Sequence, residues 1–278
     1  MLQAWLWAAG TEGLSSTSLP GGDVIVTATF CEERQLGKKN LADLMALSPG
    51  LVVLDSGPVD DRDWLAAWRA AATPILLGEK LLVDPRESEP TAPAVEGRFV
   101  LRIPARTAFG VGSHESTRLA YELLEATDLR GKRVLDVGCG SGILAMAALL
   151  LGAREAIGFD LDPTAALLAG QYARMNDVAP RLFVGTVEVL RRSARGSGSF
   201  DIIVLNVLPH EIVDQLEQVL AQLAPQGELL VSGILASEST TVESFLERLD
   251  CKKLGQIAAG EWVGQRFLRR SGEAKAYP

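Results

Sequence analysis

From residue 108 onwards, short apolar runs alternate with segments whose apolar residues recur at helical spacing. The run at 133–137, for example, precedes a segment in which Ile143 and Ala147 share one helical face. Short glycine-containing connections separate the two kinds of segment. The pattern predicts strands at 133–137, 155–159, 181–184, 201–205, 228–232, 252–258 and 262–269, and helices at 115–126, 142–152, 163–176, 210–223 and 238–249. We therefore predict an α/β fold with a doubly wound, mostly parallel sheet of seven strands.

The first part of the chain follows a different pattern. Strand-like runs at 24–30 and 51–55 flank a helical stretch near 41–47. The apolar run at the N-terminus is also interpreted as a strand, because it is too short to span a bilayer and has no preceding Lys or Arg. Together these segments predict a small α+β domain over 1–57.

A connecting region follows this first domain. Acidic residues in the first turn, with Trp64 and Trp68 one turn apart, predict a helix over 60–72, and the Trp pair favours packing between domains over an exposed docking face. A proline-containing loop at 84–97 leads into a strand-like run at 98–104. We predict a linker helix with connecting strands over 58–107, and the α/β domain over 108–270.

Charge and composition narrow the possible partners. The chain of 278 residues has 27 Lys and Arg against 35 Asp and Glu, a formal net charge of −8. Half of this excess lies in the first 60 residues, which hold 7 acidic and 3 basic residues. The balance favours a basic partner and opposes direct binding to nucleic acid or to an anionic membrane.

Cysteine and histidine usage adds two expectations. Three cysteines without a CxxC motif give no disulfide framework and favour a reducing compartment, so we expect a cytoplasmic protein. Two histidines that form no HxxxH arrangement cannot build a histidine-rich metal centre, so we expect no metal.

The strand at 133–137 is followed by a glycine-rich turn that contains Gly138, Gly140 and Gly142. Glycines let the backbone approach a ligand closely, and the following helix N-terminus adds unpaired N–H groups. The loop lacks the Lys of a triphosphate loop, and Ile143 occupies the position of a third dinucleotide-binding glycine. The next strand ends at Asp160, where a carboxylate can accept both ribose hydroxyls. The alternative, a turn without a ligand, explains the glycines but not Asp160.

Asn206 ends the fourth predicted strand of the sheet, at the carboxyl edge where open α/β sheets bind ligands. Its side-chain carbonyl could accept a hydrogen bond from a substrate N–H. From spacing alone, a turn or helix cap is an equally good interpretation.

Five separated segments carry a resemblance to a known family. The glycine loop VLDVGCGSGILA with GFDLDP resembles the class I S-adenosylmethionine-dependent methyltransferases, which have a Rossmann-like fold. The segments RTAFGVGSHEST, NVLPHEI, SGILASES with GEWVGQRF, and DWLAAWR make the chain similar to the ribosomal protein L11 methyltransferase family. This resemblance implies methyl transfer from S-adenosylmethionine to amino groups, on a lysine or at the N-terminus, of a basic ribosomal protein. We expect a monomeric enzyme.

The resemblance also implies site residues. The family's cofactor contacts fall on Thr117, Gly138, Asp160 and Asn206, and further cofactor-binding candidates are Phe109, Gly110, Gly112, Asp136 and Gly140. The preceding loop departs from the family pattern at Ala105, Arg106 and Val111. Where related enzymes carry an acidic residue for the adenine, this chain has Gly185 and Thr186, so Glu188 or backbone groups are the alternatives.

Methyl transfer from a sulfonium needs alignment rather than a covalent nucleophile or a metal. The candidates for the catalytic role are the Asn206 side-chain carbonyl and the Val207 main-chain carbonyl, which would accept the amine hydrogens. For three other residues the structural interpretation is favoured: Cys139 as a small turn residue, His114 as a helix cap and His210 as a surface residue.

Three other functions stay open at this point. One is methylation of another protein or of a small amine, and another is an adenosyl-binding module without catalytic activity. The third is a nicotinamide dehydrogenase, which Ile143 disfavours.

Overall fold

The computed structural model describes residues 11, 13–18, 23–30, 50–54, 73–86, 96–104, 112–192 and 200–270. The chain divides into two compact units, Met1–Ala67 and Trp68–Pro278. None of the helices in these described ranges is long and apolar enough to span a membrane. The sequence-based division into three regions, at 57/58 and 107/108, stays a prediction.

The first unit contains an antiparallel pair of strands, β1 (Gly13–Ser18) and β2 (Val24–Thr29). β2 confirms the strand predicted at 24–30, whereas β1 was not predicted. The strand predicted at 51–55 is wrong for residues 51–54, which pair with no strand in the described part of the chain. Three of their four apolar side chains are exposed, and Leu54 is 73% exposed. An apolar run therefore does not form a strand unless a neighbouring strand is available to pair with it. The predicted N-terminal strand and the helix near 41–47 lie outside the described residues.

The second unit is built on the predicted seven-stranded sheet. Its strands are β6 (Arg133–Val137), β7 (Glu155–Asp160), β8 (Arg181–Val184), β9 (Phe200–Asn206), β10 (Leu223–Leu235), β11 (Cys251–Ala259) and β12 (Trp262–Arg269). They lie in the order β11-β12-β10-β9-β6-β7-β8, and β12 runs antiparallel to both of its neighbours. The strand order reverses between β6 and β9, which is where a doubly wound sheet leaves a crevice at its carboxyl edge.

Helices connect the strands and cover both faces of the sheet. They are α1 (Glu115–Glu125), α2 (Ile143–Leu150), α3 (Pro163–Met175), α4 (Val187–Arg192), α5 (Pro209–Ile212), α6 (Leu216–Leu220) and α7 (Ser239–Arg248). The continuous helix predicted over 210–223 is wrong. The segment breaks into α5, a 3₁₀ turn at Val213–Gln215 and α6, and it ends at Leu220 because β10 begins at Leu223. β10 is therefore much longer than the strand predicted at 228–232.

Because the strands are covered on both sides, neighbouring residues of one strand enter different apolar cores. Val134 and Ile202 pack with α1, α2 and α3, whereas Leu135 and Ile203 pack with α4, α6 and α7. The parallel strands consequently read as continuous apolar runs, which is why their positions could be predicted from the sequence.

The amino edge of the sheet carries a row of alternating charges. Arg133 donates to Glu155 at 2.6 Å, and Arg181 reaches the other oxygen of the same carboxylate at 3.0 Å. The main-chain N–H of Arg133 donates to Asp201 at 2.8 Å. These residues stand at the starts of β6, β7, β8 and β9, so each neighbouring pair of strands is linked at this edge.

A separate three-stranded sheet precedes α1. β3 (Ile75–Leu77) pairs antiparallel with β4 (Leu81–Asp84), which pairs parallel with β5 (Phe99–Arg102). The Glu125 carboxylate at the end of α1 accepts the main-chain N–H groups of Glu79 and Lys80, at 2.9 and 2.8 Å. This ties the β3–β4 turn to α1.

The outer edge of β5 is covered by α3. Asn176 accepts from the Arg102 N–H at 2.7 Å and donates to the Arg102 carbonyl at 2.8 Å, as a paired strand would. The buried Tyr172 hydroxyl donates to the Pro104 carbonyl at 2.9 Å. These contacts hold residues 102–104 against the C-terminal half of α3 and the Asn176 that follows it.

Candidate active site

Three polar positions meet at the carboxyl edge of the large sheet. Gly138, Asp160 and Asn206 end or directly follow β6, β7 and β9, which are neighbouring strands. The pairing of Val137 with both Phe159 and Leu205 puts these strand ends in register. The structure thus brings together the three residues that sequence patterns singled out.

The glycine loop turns sharply between β6 and α2. Gly138, Gly140 and Gly142 all have positive φ angles, of 67°, 50° and 74°, which other residues adopt only at a cost. The Cys139 N–H donates to the Phe159 carbonyl at 2.9 Å, which fastens the loop to the end of β7. Main-chain groups are therefore presented at the surface of the loop without side chains in the way.

Asp160 lies at the mouth of this loop. One carboxylate oxygen accepts from the Gly140 N–H at 2.8 Å and the other from the Asp162 N–H at 3.0 Å. The side chain is partly exposed, so its carboxylate oxygens can accept further hydrogen bonds. A fixed, partly solvated carboxylate in this position can accept hydrogen bonds from hydroxyl groups of a ligand.

Asp136 is a second carboxyl group beneath the loop, 1% exposed and within β6. The pKa of Asp136 is raised to about 7, mainly because burial removes the hydration of the ionised form. A hydrogen bond from the Ala145 N–H at 3.0 Å acts in the opposite direction, and the charge of Asp160 contributes to the increase. The Asp136 side chain therefore stabilises the first turn of α2, where it accepts the Ala145 N–H.

Asn206 is buried, and only the nitrogen of its side-chain amide is hydrogen-bonded among the described residues. Its Nδ2 donates to the Thr117 hydroxyl at 3.3 Å, which links β9 to the first turn of α1. Its Oδ1 is buried and has no hydrogen-bond partner among the described residues. Buried acceptors are usually paired, so an oxygen left free at a ligand-binding edge indicates a position for a donor from a bound molecule.

Val207 follows β9 at a bend and packs between two glycines. An ideal Cβ on Gly138 would lie 2.5 Å from the Val207 Cγ1, so the absence of that Cβ lets Val207 approach the glycine loop. On its other side Val207 faces Gly233 of β10. The Ser232 hydroxyl, next in β10, donates to the Ser116 carbonyl at 2.8 Å.

His114 confirms the helix-cap interpretation. It is the N-cap residue of α1, and its Nδ1 accepts from the Ser116 N–H at 3.2 Å. An imidazole nitrogen that accepts from a main-chain N–H carries no proton itself. The ring also makes an edge contact with Trp262, with 4.9 Å between ring centroids. This aromatic pair stands beside the helix turn that holds Thr117.

Cys139 behaves as the turn residue that the sequence favoured. Burial is the main cause that raises the pKa of its thiol far above the usual range, and the carboxylates of Asp136 and Asp160 add to this. A thiol in this state is a poor nucleophile. Within the described ranges, no group of three or more His, Cys, Asp or Glu side chains is arranged to bind a metal.

The remaining candidates are distributed unevenly. Gly112 lies where an added Cβ would come within 3.6 Å of Ile143, the first residue of α2, so it adjoins the glycine loop. Thr186 donates to Glu188 at the end of β8. Phe109 and Gly110, the altered positions Ala105, Arg106 and Val111, and the side chain of His210 lie outside the described residues.

Sequence patterns missed Ser232, Gly233 and Trp262 as neighbours of the site. A glycine inside an apolar strand pattern is a known indication of a bulge, so Gly233 did carry a signal. Ser232 and Trp262 carried only their membership of the family-like segments SGILASES and GEWVGQRF, because they reach the site through the pairing of β10 with β9 and β12.

Comparisons with known proteins identify the family of this chain. Residues 11–269 match the family described as ribosomal protein L11 methyltransferase. The ribosomal protein L11 methyltransferase of Symbiobacterium thermophilum is 40% identical over 257 residues, which are 89% of this chain and 82% of that protein. That of Trichlorobacter lovleyi is 34% identical over 246 residues, which are 85% and 78% of the two chains. The crystal structure of the ribosomal protein L11 methylase from Lactobacillus delbrueckii subsp. bulgaricus has a TM-score of 0.63 and 29% identity, and the match covers 71% of this chain and 98% of that one.

Proposed function

The chain belongs to the ribosomal protein L11 methyltransferase family, and from that premise we propose that it transfers methyl groups from S-adenosylmethionine to amino groups of ribosomal protein L11. The acceptors are lysine side chains or the N-terminal amine. The observation that carries this proposal is the unpartnered Oδ1 of Asn206. This acceptor is available to a donor of a bound molecule, at the same sheet edge as the glycine loop and the Asp160 carboxylate.

The residues at the carboxyl edge fit the cofactor. S-adenosylmethionine supplies a methyl group on a positively charged sulfur, together with a ribose and an adenine. The main chain at Gly138 and Gly140 allows close approach, and Asp160 would accept the ribose hydroxyls. The side chain of Leu161, 62% exposed directly after Asp160, offers an apolar surface for the adenine. Further contacts are proposed for Thr117, Asn206, Asp136, Gly112, Phe109 and Gly110.

The acceptor amine must be neutral when it reacts. At pH 7 only about one lysine in 2,500 is neutral in water, because the ordinary pKa is near 10.4. Burial and the nearby sulfonium charge both lower this pKa. The amine lone pair then forms the new N–C bond while the S–C bond breaks and its electron pair returns to sulfur, so the positive charge passes from sulfur to nitrogen. One proton must leave the nitrogen for solvent before another methyl group can follow.

Two oxygens of this chain would align the amine. Asn206 Oδ1 and the Val207 carbonyl would each accept one N–H of the neutral amine, which leaves its lone pair pointing at the methyl group. Acceptors held in position before the reaction cost no reorganisation during it. Alignment of this kind accounts for most of the rate in a direct displacement.

The acidic first 57 residues support a basic protein as the partner. Complementary charge accelerates the encounter between a basic protein and an acidic surface, and this contribution weakens as salt is added. A role in recognition is proposed for this region, and lysine specificity, a monomeric state and a cytoplasmic location belong to the same proposal.

The test is methyl transfer from labelled S-adenosylmethionine to isolated ribosomal protein L11, with a second basic ribosomal protein as control. We expect label and mass increments of one methyl group in L11 and none in the control protein. The Asp160→Ala variant should lose transfer and bind S-adenosylhomocysteine much more weakly. Tight S-adenosylhomocysteine binding without any transfer to L11 would contradict the proposed acceptor, and label in another component of a cell extract would identify a different one.

A further inference from the structure

β10 contains a bulge beside the proposed site of transfer. Val231 pairs with Gln265 and Ile234 pairs with Val263, so two residues of β10, Ser232 and Gly233, stand opposite one residue of β12. Bulges of this kind bend a strand locally and redirect the chain next to active sites. On the other side of β10, Ser232 still pairs with Asn206, the last residue of β9.

Gly233 lies directly against the main chain of Val207. An ideal Cβ on Gly233 would be 2.9 Å from the Val207 carbonyl oxygen, 3.2 Å from its carbonyl carbon and 3.4 Å from its nitrogen. All three are backbone atoms, which cannot rotate away as a side-chain end can. Gly233 is buried and has a φ angle of 78°. Only glycine satisfies both the angle and the close approach without strain.

Ser232 fixes the other end of the bulge. It is fully buried, and its hydroxyl donates to the Ser116 carbonyl in the first turn of α1, at 2.8 Å. The same turn holds Thr117, whose hydroxyl accepts from Asn206. The bulge, the first turn of α1 and the end of β9 therefore form one contiguous set of contacts around both proposed acceptor oxygens.

We propose that the Ser232–Gly233 bulge positions the Val207 carbonyl for methyl transfer, and that Gly233 is a positioning residue of this reaction. The inference rests on the proposed function. The Asn206 oxygen belongs to a side chain, whereas the Val207 carbonyl belongs to the main chain, and Gly233 of β10 packs directly against it. A side chain at position 233 must push that carbonyl away by a few tenths of an ångström or more, and transfer rates are sensitive to displacements of this order.

The chain offers a matched control for this proposal. Gly260, in the turn between β11 and β12, also has a positive φ angle, of 58°, but apart from its chain neighbours no atom of the described residues lies within 4 Å of its ideal Cβ. The Gly260→Ala variant therefore carries the backbone strain of an alanine at positive φ without a contact to Val207. Comparing it with Gly233→Ala separates strain from displacement of the carbonyl.

The experiment compares wild type, Gly233→Ala and Gly260→Ala for methyl transfer to ribosomal protein L11 and for S-adenosylhomocysteine binding by calorimetry. We expect kcat of Gly233→Ala to fall at least about tenfold, with the Kd for S-adenosylhomocysteine within about twofold of wild type. Gly260→Ala should keep its kcat. Equal kcat values for the two variants, or a loss in Gly233→Ala that is explained by weaker cofactor binding, would overturn the inference.

A second variant covers the case in which Gly233→Ala does not fold. Ser232→Ala removes the hydrogen bond to Ser116 and leaves the glycine in place, and we expect its kcat to fall by a smaller factor, about threefold to tenfold, again without a change in cofactor affinity. An unchanged kcat in Ser232→Ala would count against the bulge. If wild type itself transfers no methyl group, the proposed function fails and the inference fails with it; if wild type is active and all variants match it, only the inference fails.

Discussion

Replacing Asn206 by leucine tests whether its free oxygen is kept for a ligand. Asn206→Leu preserves the approximate size and shape of the side chain but removes both its donor and its acceptor. Oδ1 is buried without a partner among the described residues, and Nδ2 makes one long hydrogen bond of 3.3 Å to Thr117. The substitution therefore removes an unpaired buried acceptor as well as one hydrogen bond.

The expected change in stability follows from these two contacts. A buried polar atom without a partner costs about 1–3 kcal/mol, and the leucine relieves this cost at Oδ1. The Thr117 hydroxyl, 0% exposed, loses its donor and incurs a similar cost. The free energy of unfolding should stay within about 1 kcal/mol of wild type, a shift in melting temperature of at most about 4 °C for a unit of this size. Adding Thr117→Val removes the second cost, so the double variant should be more stable than wild type.

The expected change in activity is much larger. Losing one hydrogen bond of about 1.5–3 kcal/mol to the reacting amine slows transfer by about 10- to 100-fold. The assay is kcat for methyl transfer at saturating S-adenosylmethionine, together with thermal unfolding of the same samples.

Gln265→Leu provides the contrast. Gln265 is another fully buried amide whose oxygen, Oε1, also has no partner among the described residues, and its Nε2 donates to the Ser239 hydroxyl at 2.9 Å and to Gln256 at 3.0 Å. Leucine relieves the cost at Oε1 but removes these hydrogen bonds, so we expect the free energy of unfolding to stay within about 1–2 kcal/mol of wild type and kcat to be unchanged. If Asn206→Leu keeps full activity, or if Gln265→Leu loses as much kcat as Asn206→Leu does, the idea that the Asn206 oxygen is reserved for the acceptor is refuted.

Three further predictions concern buried or bridging groups. The pKa of Asp136 is raised to about 7 in the folded protein, whereas it is near 4 in an unfolded chain, so wild type loses stability as pH rises between these values. The free energy of unfolding of Asp136→Asn, measured relative to wild type in urea titrations, should therefore increase by roughly 2–3 kcal/mol from pH 5 to pH 8. A difference that does not change with pH would contradict this. Because burial raises the pKa of the Cys139 thiol, its peptide should stay unlabelled when native protein meets iodoacetamide at pH 8, a result that mass spectrometry can check. Glu125→Ala leaves the Glu79 and Lys80 N–H groups without their acceptor and should lower the free energy of unfolding by about 1–3 kcal/mol in denaturant titrations.

The order of strands and helices after residue 108 could be predicted because the parallel strands are covered on both faces. Continuous apolar runs such as the one before Gly138 leave little choice of element, and the glycine loop with Asp160 marks the ligand-binding edge. The broken helix between Pro209 and Leu220 could not be predicted. Its apolar positions suit one longer helix, and they indicate neither the 3₁₀ turn at Val213–Gln215 nor the early start of β10 at Leu223.

The site residues that could be predicted are those whose side chain and place at a strand end together indicate ligand binding. Asp160 and Asn206 are of this kind. The contacts that complete the site depend on strand register instead: Ser232 faces Ser116 because β10 runs beside β9, and Trp262 meets His114 because β12 runs beside β10. Neither pairing is encoded by the local sequence around those residues.

The row of charges at the amino edge has a consequence for how the reacting groups stay in line. Because both faces of β6 and β7 are apolar, burial alone distinguishes poorly between adjacent registers of these strands. The Arg133–Glu155 pair is only 13% and 22% exposed and joins residues directly opposite each other in the ladder, so it favours one register over its neighbours. A slip by one residue would carry Asp160 to the opposite face of the sheet. The Arg133–Glu155 pair, about 16 Å from the proposed site of methyl transfer, thus helps to fix the position of Asp160 through the strand register. Substitutions of this pair should therefore affect catalysis despite their distance from the site.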